Sequence, residues 1–157
     1  MSIKNILITS ANGDLAEAVS GVLKDAFPNI NSYGCEAGDL WPAKAFLNDV
    51  ASVPRGDSVD YISEIKKIVS QLNIDLVIPC SDVELVRFAT AKSNNECECS
   101  LLMPGHDLIH IFTDKYLGAK WIEKHNIGTP KTTLLTAASS SELPLIVKPR
   151  NGSGSVG

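Results

Sequence analysis

Ile3-Lys4-Asn5-Ile6-Leu7-Ile8-Thr9, then Ser10-Ala11-Asn12-Gly13, then Leu15, Ala18, Val19, Val22, Leu23 and Ala26 at helical spacing: these residues decide the fold. A short apolar run closes on a tight turn, and the period then changes from strand to amphipathic helix. Pro28-Asn29 ends the helix, and Ile30 to Cys35 reads as a second strand. No Asn-Gly turn joins two alternating runs, so the two strands are expected to be parallel and linked by a helical crossover.

Working outward, Ser58 to Leu72 places Ile62, Ile65, Ile68, Val69 and Leu72 on one stripe, with Glu64, Lys66 and Lys67 opposite. That pattern predicts a surface helix. Asp75 to Pro79 reads as a buried strand, and Ser81-Asp82-Val83-Glu84 has the form of a capping box opening the next helix. Ser100 to Pro104 is expected to close the sheet as a further strand, while Asp39 to Pro54, broken by Trp41-Pro42 and Val53-Pro54, holds only a short helix or strand. The expected architecture is α/β, a Rossmann-like doubly wound parallel sheet of about four or five strands.

Beyond Pro104 the texture changes. Thr113 to His125 predicts a helix with Leu117, Trp121 and Ile122 inward, ended by Asn126-Ile127-Gly128-Thr129-Pro130. Thr132 to Leu135 reads as a short strand, Ala137 to Glu142 as a linker, and Leu143 to Pro149 as a strand leaving through Lys148. Gly152-Ser153-Gly154-Ser155-Val156-Gly157 then supplies backbone that can take positive φ and present successive N–H groups to phosphate oxygens. On its own the Gly/Ser run also fits a flexible tail. A Walker A loop is excluded, because there the lysine follows the glycines, whereas Lys148 precedes them.

Composition narrows the function classes. A chain of 157 residues, 44% hydrophobic, can bury one ordinary core and has little left for a second complete domain. With 14 basic and 18 acidic residues, a net charge of -4 and no basic run longer than Lys66-Lys67, neither nucleic acid nor an anionic membrane is an expected partner. The longest apolar runs fall far short of the roughly 20 residues of a membrane span. The expectation is a soluble cytoplasmic protein whose Cys35, Cys80, Cys97 and Cys99 are reduced structural thiols. Cys97-Glu98-Cys99 is too tight for a zinc knuckle, and His106 and His110, though spaced i, i+4, lack a third ligand.

The ordered series Asp114-Lys115, amphipathic helix, Gly128-Thr129-Pro130, Pro144-Leu145-Ile146-Val147-Lys148-Pro149 and Gly152-Ser153-Gly154-Ser155 resembles the ATP-grasp superfamily, most nearly its carbamoyl-phosphate-synthase-like members. The resemblance covers about residues 113 to 157 by motif, and residues 1 to 104 at the level of fold. It implies two segments, 1–112 as a Rossmann-like pre-ATP-grasp substrate domain and 113–157 as the beginning of an ATP-grasp domain. It implies that Lys148 contacts the α/β-phosphates of ATP, that Gly152, Ser153, Gly154, Ser155 and Gly157 close over the triphosphate, and that Lys115 is a second phosphate contact. Lys115 also reads as a solvated lysine at a helix start.

For the whole protein the resemblance implies an ATP-dependent carboxylate–amine, or similar, ligase working through an acyl phosphate, with a small-molecule carboxylate and ATP as partners. Its magnesium ligands are expected downstream, so this stretch, a fragment or half of a split enzyme, is expected to be inactive until the remainder is supplied in cis or in trans. No catalytic residue and no metal ligand is assigned within the chain. The other substrate is expected at the carboxyl ends of the strands, at Asn12, Gly13, Ser81, Asp82 and Glu84. Glu84 is equally explained as the reciprocal half of the capping box. The alternatives are a Rossmann-type nucleotide-binding or regulatory module, with Glu36 where a ribose-binding acid belongs but one glycine where three are needed, and a non-catalytic interaction domain.

Overall fold

A computed structural model describes residues 3–137 and 144–152. The chain divides into two units, residues 1–104 and 105–157.

In the first unit, β1 (Asn5–Ile8), β2 (Asn31–Glu36), β3 (Val50–Ser52) and β4 (Leu76–Ile78) form one parallel sheet in the order β3-β2-β1-β4. The helices are α1 (Asp14–Ala26), α2 (Trp41–Lys44), α3 (Tyr61–Gln71) and α4 (Asp82–Ser93). Successive strand residues face opposite sides, and the central strand shows it directly. Ile6 and Ile8 pack with Ala16 of α1, Ala43 of α2, Val50 and Ile78, while Leu7 packs with Tyr61 and Ile65 of α3, Phe88 of α4 and Val77. Two apolar cores therefore sandwich the sheet, which makes it doubly wound.

Parallel strands buried on both faces need their N-terminal backbone groups satisfied as well. Asp75 does this between β1 and β4: its Oδ2 accepts the N–H groups of Lys4 at 2.8 Å and Asn5 at 3.0 Å, and its own N–H reaches the Asn5 carbonyl. These backbone donors hold its carboxyl below the ordinary value.

The irregular stretch from Asp39 to Pro54 contains both a helix, α2, and a strand, β3. The strand expected at Ser100 to Pro104 is reduced to a single parallel bridge between Val77 and Leu101. Pro104 cannot donate to a ladder, which bounds the segment's pairing at one side.

In the second unit, α5 (His106–Phe112) precedes α6 (Lys115–Lys124). Helix α5 was legible only as the i, i+4 pair His106 and His110, whose rings lie 4.5 Å apart edge to face. Phe112 and Trp121 join the two helices, their ring centroids 5.3 Å apart. Neither expected strand forms here. Residues 132–134 are irregular and Leu135–Ala137 is a 3₁₀ turn, and residues 144–149 pair with no described strand, leaving Ile146 86% exposed. A strand is made by its ladder, and apolar composition cannot replace a missing partner. The linker expected from Ala137 to Glu142 lies almost wholly outside the described residues.

Candidate functional site

Strand order reverses between β1 and β4. In open α/β sheets the crevice beyond the carboxyl ends of such strands is where ligands bind, because the connections there diverge to opposite faces. Thr9–Gly13 leaves β1 at this edge and Cys80–Glu84 leaves β4.

Glu84, in the first turn of α4, is only 5% exposed there. A buried carboxylate is costly unless its oxygens are hydrogen-bonded, and four hydroxyls converge on this one. Thr9 Oγ1 at 2.6 Å, Ser10 Oγ at 2.8 Å and Ser81 Oγ at 2.9 Å donate to Oε2, and the Tyr61 hydroxyl donates to Oε1 at 2.7 Å. Thr9 Oγ1 also accepts the Cys80 N–H at 3.3 Å. The carboxylate thus ties together β1, the loop after β4, α3 and α4. Ser10 holds its place at a left-handed φ of 47°, uncommon for a residue with a Cβ. Gly56 is packed so close that a Cβ would stand 2.9 Å from Glu84 Cγ.

This charge marks its neighbours. Burial first, and the nearby carboxylate after it, pushes the Cys80 thiol up to about 11 and raises Cys35 well above its ordinary range. Burial, Cys35 and Glu84 likewise raise the Tyr61 phenol far above its ordinary value. Tyr61 therefore stays a donor, and both thiols stay protonated at neutral pH.

Ser81 caps α4, its Oγ accepting the Glu84 N–H at 3.4 Å. The carboxylate does not return the favour to the Ser81 backbone as a capping box would; it takes the Ser81 hydroxyl instead. Asp82 is exposed one residue into the helix. Asn12 and Gly13 lie in the β1–α1 turn. Asn12 Nδ2 donates to the Asp39 carbonyl at 2.6 Å and its Oδ1 accepts the Ala43 N–H at 3.1 Å, which ties the turn to α2. Gly13 caps α1 through its backbone and donates to the Ser10 carbonyl at 3.0 Å.

The same turn weakens the dinucleotide alternative. The N–H groups of Ala11, Asn12 and Gly13 are spent on Cys35, Glu36 and Ser10, and the acidic Asp14 opens α1, where a phosphate would need free donors and positive potential. Glu36, the candidate ribose acid, already accepts the N–H groups of Asn12, Ala37 and Gly38.

The second unit builds a different constellation. Asp114, 8% exposed, caps α6: its Oδ1 accepts the N–H groups of Tyr116 at 3.0 Å and Leu117 at 3.1 Å. Its Oδ2 accepts from Arg150, through Nε at 2.8 Å and through Nη2. The Arg150 guanidinium foremost, with the Leu117 and Tyr116 amides, holds the Asp114 carboxyl below its ordinary value. The backbone completes the clamp, because the Lys115 N–H donates to the Arg150 carbonyl at 2.9 Å and Lys115 Nζ donates to the Gly152 carbonyl at 2.6 Å. Gly152 sits at φ 110°, a conformation that side chains oppose. Lys115 and Gly152 are thereby brought together, and Lys148 is exposed two residues before Arg150. Ser153, Gly154, Ser155 and Gly157 lie outside the described residues.

Sequence reasoning missed Arg150, Thr9 and Tyr61. Arg150 carried a usable signal, a fixed cation between Lys148 and the glycines. Thr9 and Tyr61 carried none, since each meets Glu84 only through the tertiary fold. Among the described residues no group of three or more His, Cys, Asp or Glu side chains could hold a metal ion, and no helix is long and apolar enough to cross a membrane.

No protein-family model matches the sequence, and no curated protein matches it. Solved structures do share the fold. The biotin carboxylase domain of 2-oxoglutarate carboxylase from Hydrogenobacter thermophilus, in complex with MgADP, ADP and bicarbonate, aligns with a TM-score of 0.58 at 11% identity over 82% of this chain and 29% of that one. N5-carboxyaminoimidazole synthetase from Staphylococcus aureus, complexed with ADP, aligns at 0.59 and 8% identity over 78% and 30%. The biotin carboxylase subunit of a pyruvate carboxylase aligns at 0.55 and 14% identity over 80% and 28%. The chain spans less than a third of the length of these structures. At 8–14% identity the likeness is one of fold.

Proposed function

We propose that this chain is the N-terminal part of an ATP-dependent ligase that joins a carboxylate to an amine or similar nucleophile through an acyl phosphate. The observation that carries the reading is the clamp in the second unit. A lysine at the start of α6 and a glycine 37 residues later, assigned to one phosphate site from motif order alone, lie within one hydrogen bond. The fold shared with two kinds of ADP-bound enzyme supports it.

In this reading Arg150 is neutralised by Asp114 and serves to position the loop entrance. Lys115 and Lys148 supply the positive charge for the polyphosphate, Lys115 exchanging the Gly152 carbonyl for a phosphate oxygen. The loop N–H groups from Gly152 onward, with Ser153, Gly154, Ser155 and Gly157, would close over the transferring phosphoryl group, whose charge spreads over its equatorial oxygens. Magnesium would arrive with ATP and neutralise the same charge, held by acidic groups that the resemblance places after the glycine loop. The carboxylate substrate would bind at the sheet edge built by Asn12, Gly13, Ser81 and Asp82, with Glu84 holding that edge from beneath.

The protein as its own cell makes it, supplied with Mg-ATP, hydroxylamine and a panel of small carboxylic acids, tests this. One acid should give ADP and a hydroxamate together. ADP formation that no carboxylate stimulates, or hydroxamate without ADP, would dismiss the acyl-phosphate route.

A further inference from the structure

The four cysteines fall into two classes. Cys35 and Cys80 are held as protonated thiols beside Glu84 at the carboxyl edge of the sheet. Cys97 and Cys99 lie elsewhere. Leu101 is in register with Val77, so in a parallel arrangement Cys99 lies level with Asp75, at the opposite, N-terminal edge. The backbone leaves α4 through Asn95 at φ 57°, and the turn brings the two sulfurs to 2.9 Å from each other. That is longer than a covalent disulfide of about 2.04 Å. Cys97 is buried among Val77, Phe88 and Ala91, while Cys99 is half-buried.

We propose that Cys97 and Cys99 are a peroxide-oxidisable dithiol that closes reversibly into a Cys97–Cys99 disulfide. The chemistry follows from the arrangement. The thiolate is the reactive form of cysteine and is favoured by a nearby hydrogen-bond donor and by cations. Cys99 S–H is that donor, and Lys66 of α3 and Lys92 of α4 add positive charge; together they bring Cys97 down to about 6. The same contact raises Cys99 far above its ordinary value, so it remains the thiol of the pair.

A hydroperoxide that reaches the pair is attacked by the Cys97 thiolate. The O–O bond breaks, Cys97 becomes a sulfenic acid, and the departing oxygen leaves as water or alcohol after taking a proton. Cys99 sulfur then attacks Cys97 sulfur, the S–O bond breaks, and the sulfenic oxygen leaves as water with the Cys99 proton. Two thiols and one hydroperoxide give one disulfide and two molecules of hydroxylic product. Two electrons pass from the sulfurs to the peroxide. Cys99 stands within reach before the first step, so the sulfenic acid is captured before it oxidises further.

The test treats the full chain, folded at neutral pH, with one equivalent of hydrogen peroxide, then alkylates remaining thiols in denaturant and maps the peptides. Before alkylation the expected product is lighter than the reduced chain by two hydrogens and is returned to four thiols by dithiothreitol; after alkylation the map shows Cys97 and Cys99 joined and Cys35 and Cys80 alkylated. Loss of the Cys97 thiol should outpace loss of Cys35 by on the order of tenfold or more. In Cys99→Ser the sulfenic acid should persist on Cys97 and be trapped by dimedone. Oxidation of Cys97 and Cys35 at equal rates, a disulfide between chains, or Cys97 driven to sulfinic acid with Cys99 still free would each overturn the proposal. The peptide map of the unsubstituted chain decides it even where Cys99→Ser fails to fold.

Discussion

Lys115 Nζ donates to the carbonyl oxygen of Gly152 at 2.6 Å, across 37 residues of sequence. A charged donor on a backbone carbonyl makes a strong hydrogen bond, and this one ties the start of α6 to the entrance of the glycine-rich segment. Around it, Asp114 serves two elements with its two oxygens, capping α6 with Oδ1 and holding Arg150 with Oδ2.

Asp114→Ala removes both functions. The cap alone is worth about 1 kcal/mol, within a range of about 0.5–2. The expected outcome is loss of α6 stability of that size, seen as faster hydrogen exchange at the Tyr116 and Leu117 amides, with exchange in β1 unchanged. Asp114→Asn keeps the cap and weakens the hold on Arg150, so it should protect those amides while loosening residues 150–152. Equal fraying of α6 in both variants would contradict the division of labour.

Acid should act through the same carboxylate. Its folded-state value lies below the ordinary 3.8. A depressed carboxylate contributes stability that is fully present above 3.8 and is lost as pH falls through the folded value. The Tyr116 and Leu117 amides should therefore stay protected from neutrality down to about pH 4 and lose protection only below it. Loss of protection already between neutrality and pH 5 would point to another group.

Glu84 anchors the sheet edge, and breaking its network leaves hydroxyls or a carboxylate unpaired in the interior. Glu84→Ala should destabilise the first unit by about 3 kcal/mol, and Tyr61→Phe, which removes one donor, by about 1–2 kcal/mol. Denaturant unfolding followed by circular dichroism measures both. The double variant should fall short of the sum, because the phenol has no carboxylate left to serve. Full additivity would mean that the two side chains act independently.

Gly56→Ala probes the same site without touching a polar group. The new Cβ would stand 2.9 Å from Glu84 Cγ and 3.3 Å from Val83 Cγ1. The expected cost is about 1–3 kcal/mol, and it should shrink in a Glu84→Ala background, where the obstructing carbon is gone.

Much of the first unit was legible because its signals are local and periodic. Ile6, Leu7 and Ile8 form a run buried on both faces, and the α3 stripe of Ile62, Ile65 and Ile68 sits where its spacing placed it. What failed was the strand reading of Thr132 to Leu135 and of residues 144–149, since pairing is a tertiary property that a short apolar run does not encode. Residues 106–112 were passed over because seven residues give too few turns for a convincing stripe. Lys115 and Gly152, placed in one ordered series by the sequence, do meet in the fold. Arg150 was passed over although its place between Lys148 and the glycines was a signal, and Tyr61 was not legible, because its meaning comes from Glu84, 23 residues away.

The central claim is that Lys115 and Lys148 face the phosphates of ATP. An acyl-phosphate derivative of ATP, which transfers its acyl group to lysines beside the terminal phosphates, tests this on the protein as its own cell makes it. The account predicts that Lys148 and Lys115 are the principal sites of labelling, that excess Mg-ATP suppresses both at least tenfold, and that Lys24 and Lys67 on the first unit's surface are neither enriched nor protected. Labelling spread evenly over the exposed lysines and indifferent to Mg-ATP would contradict it.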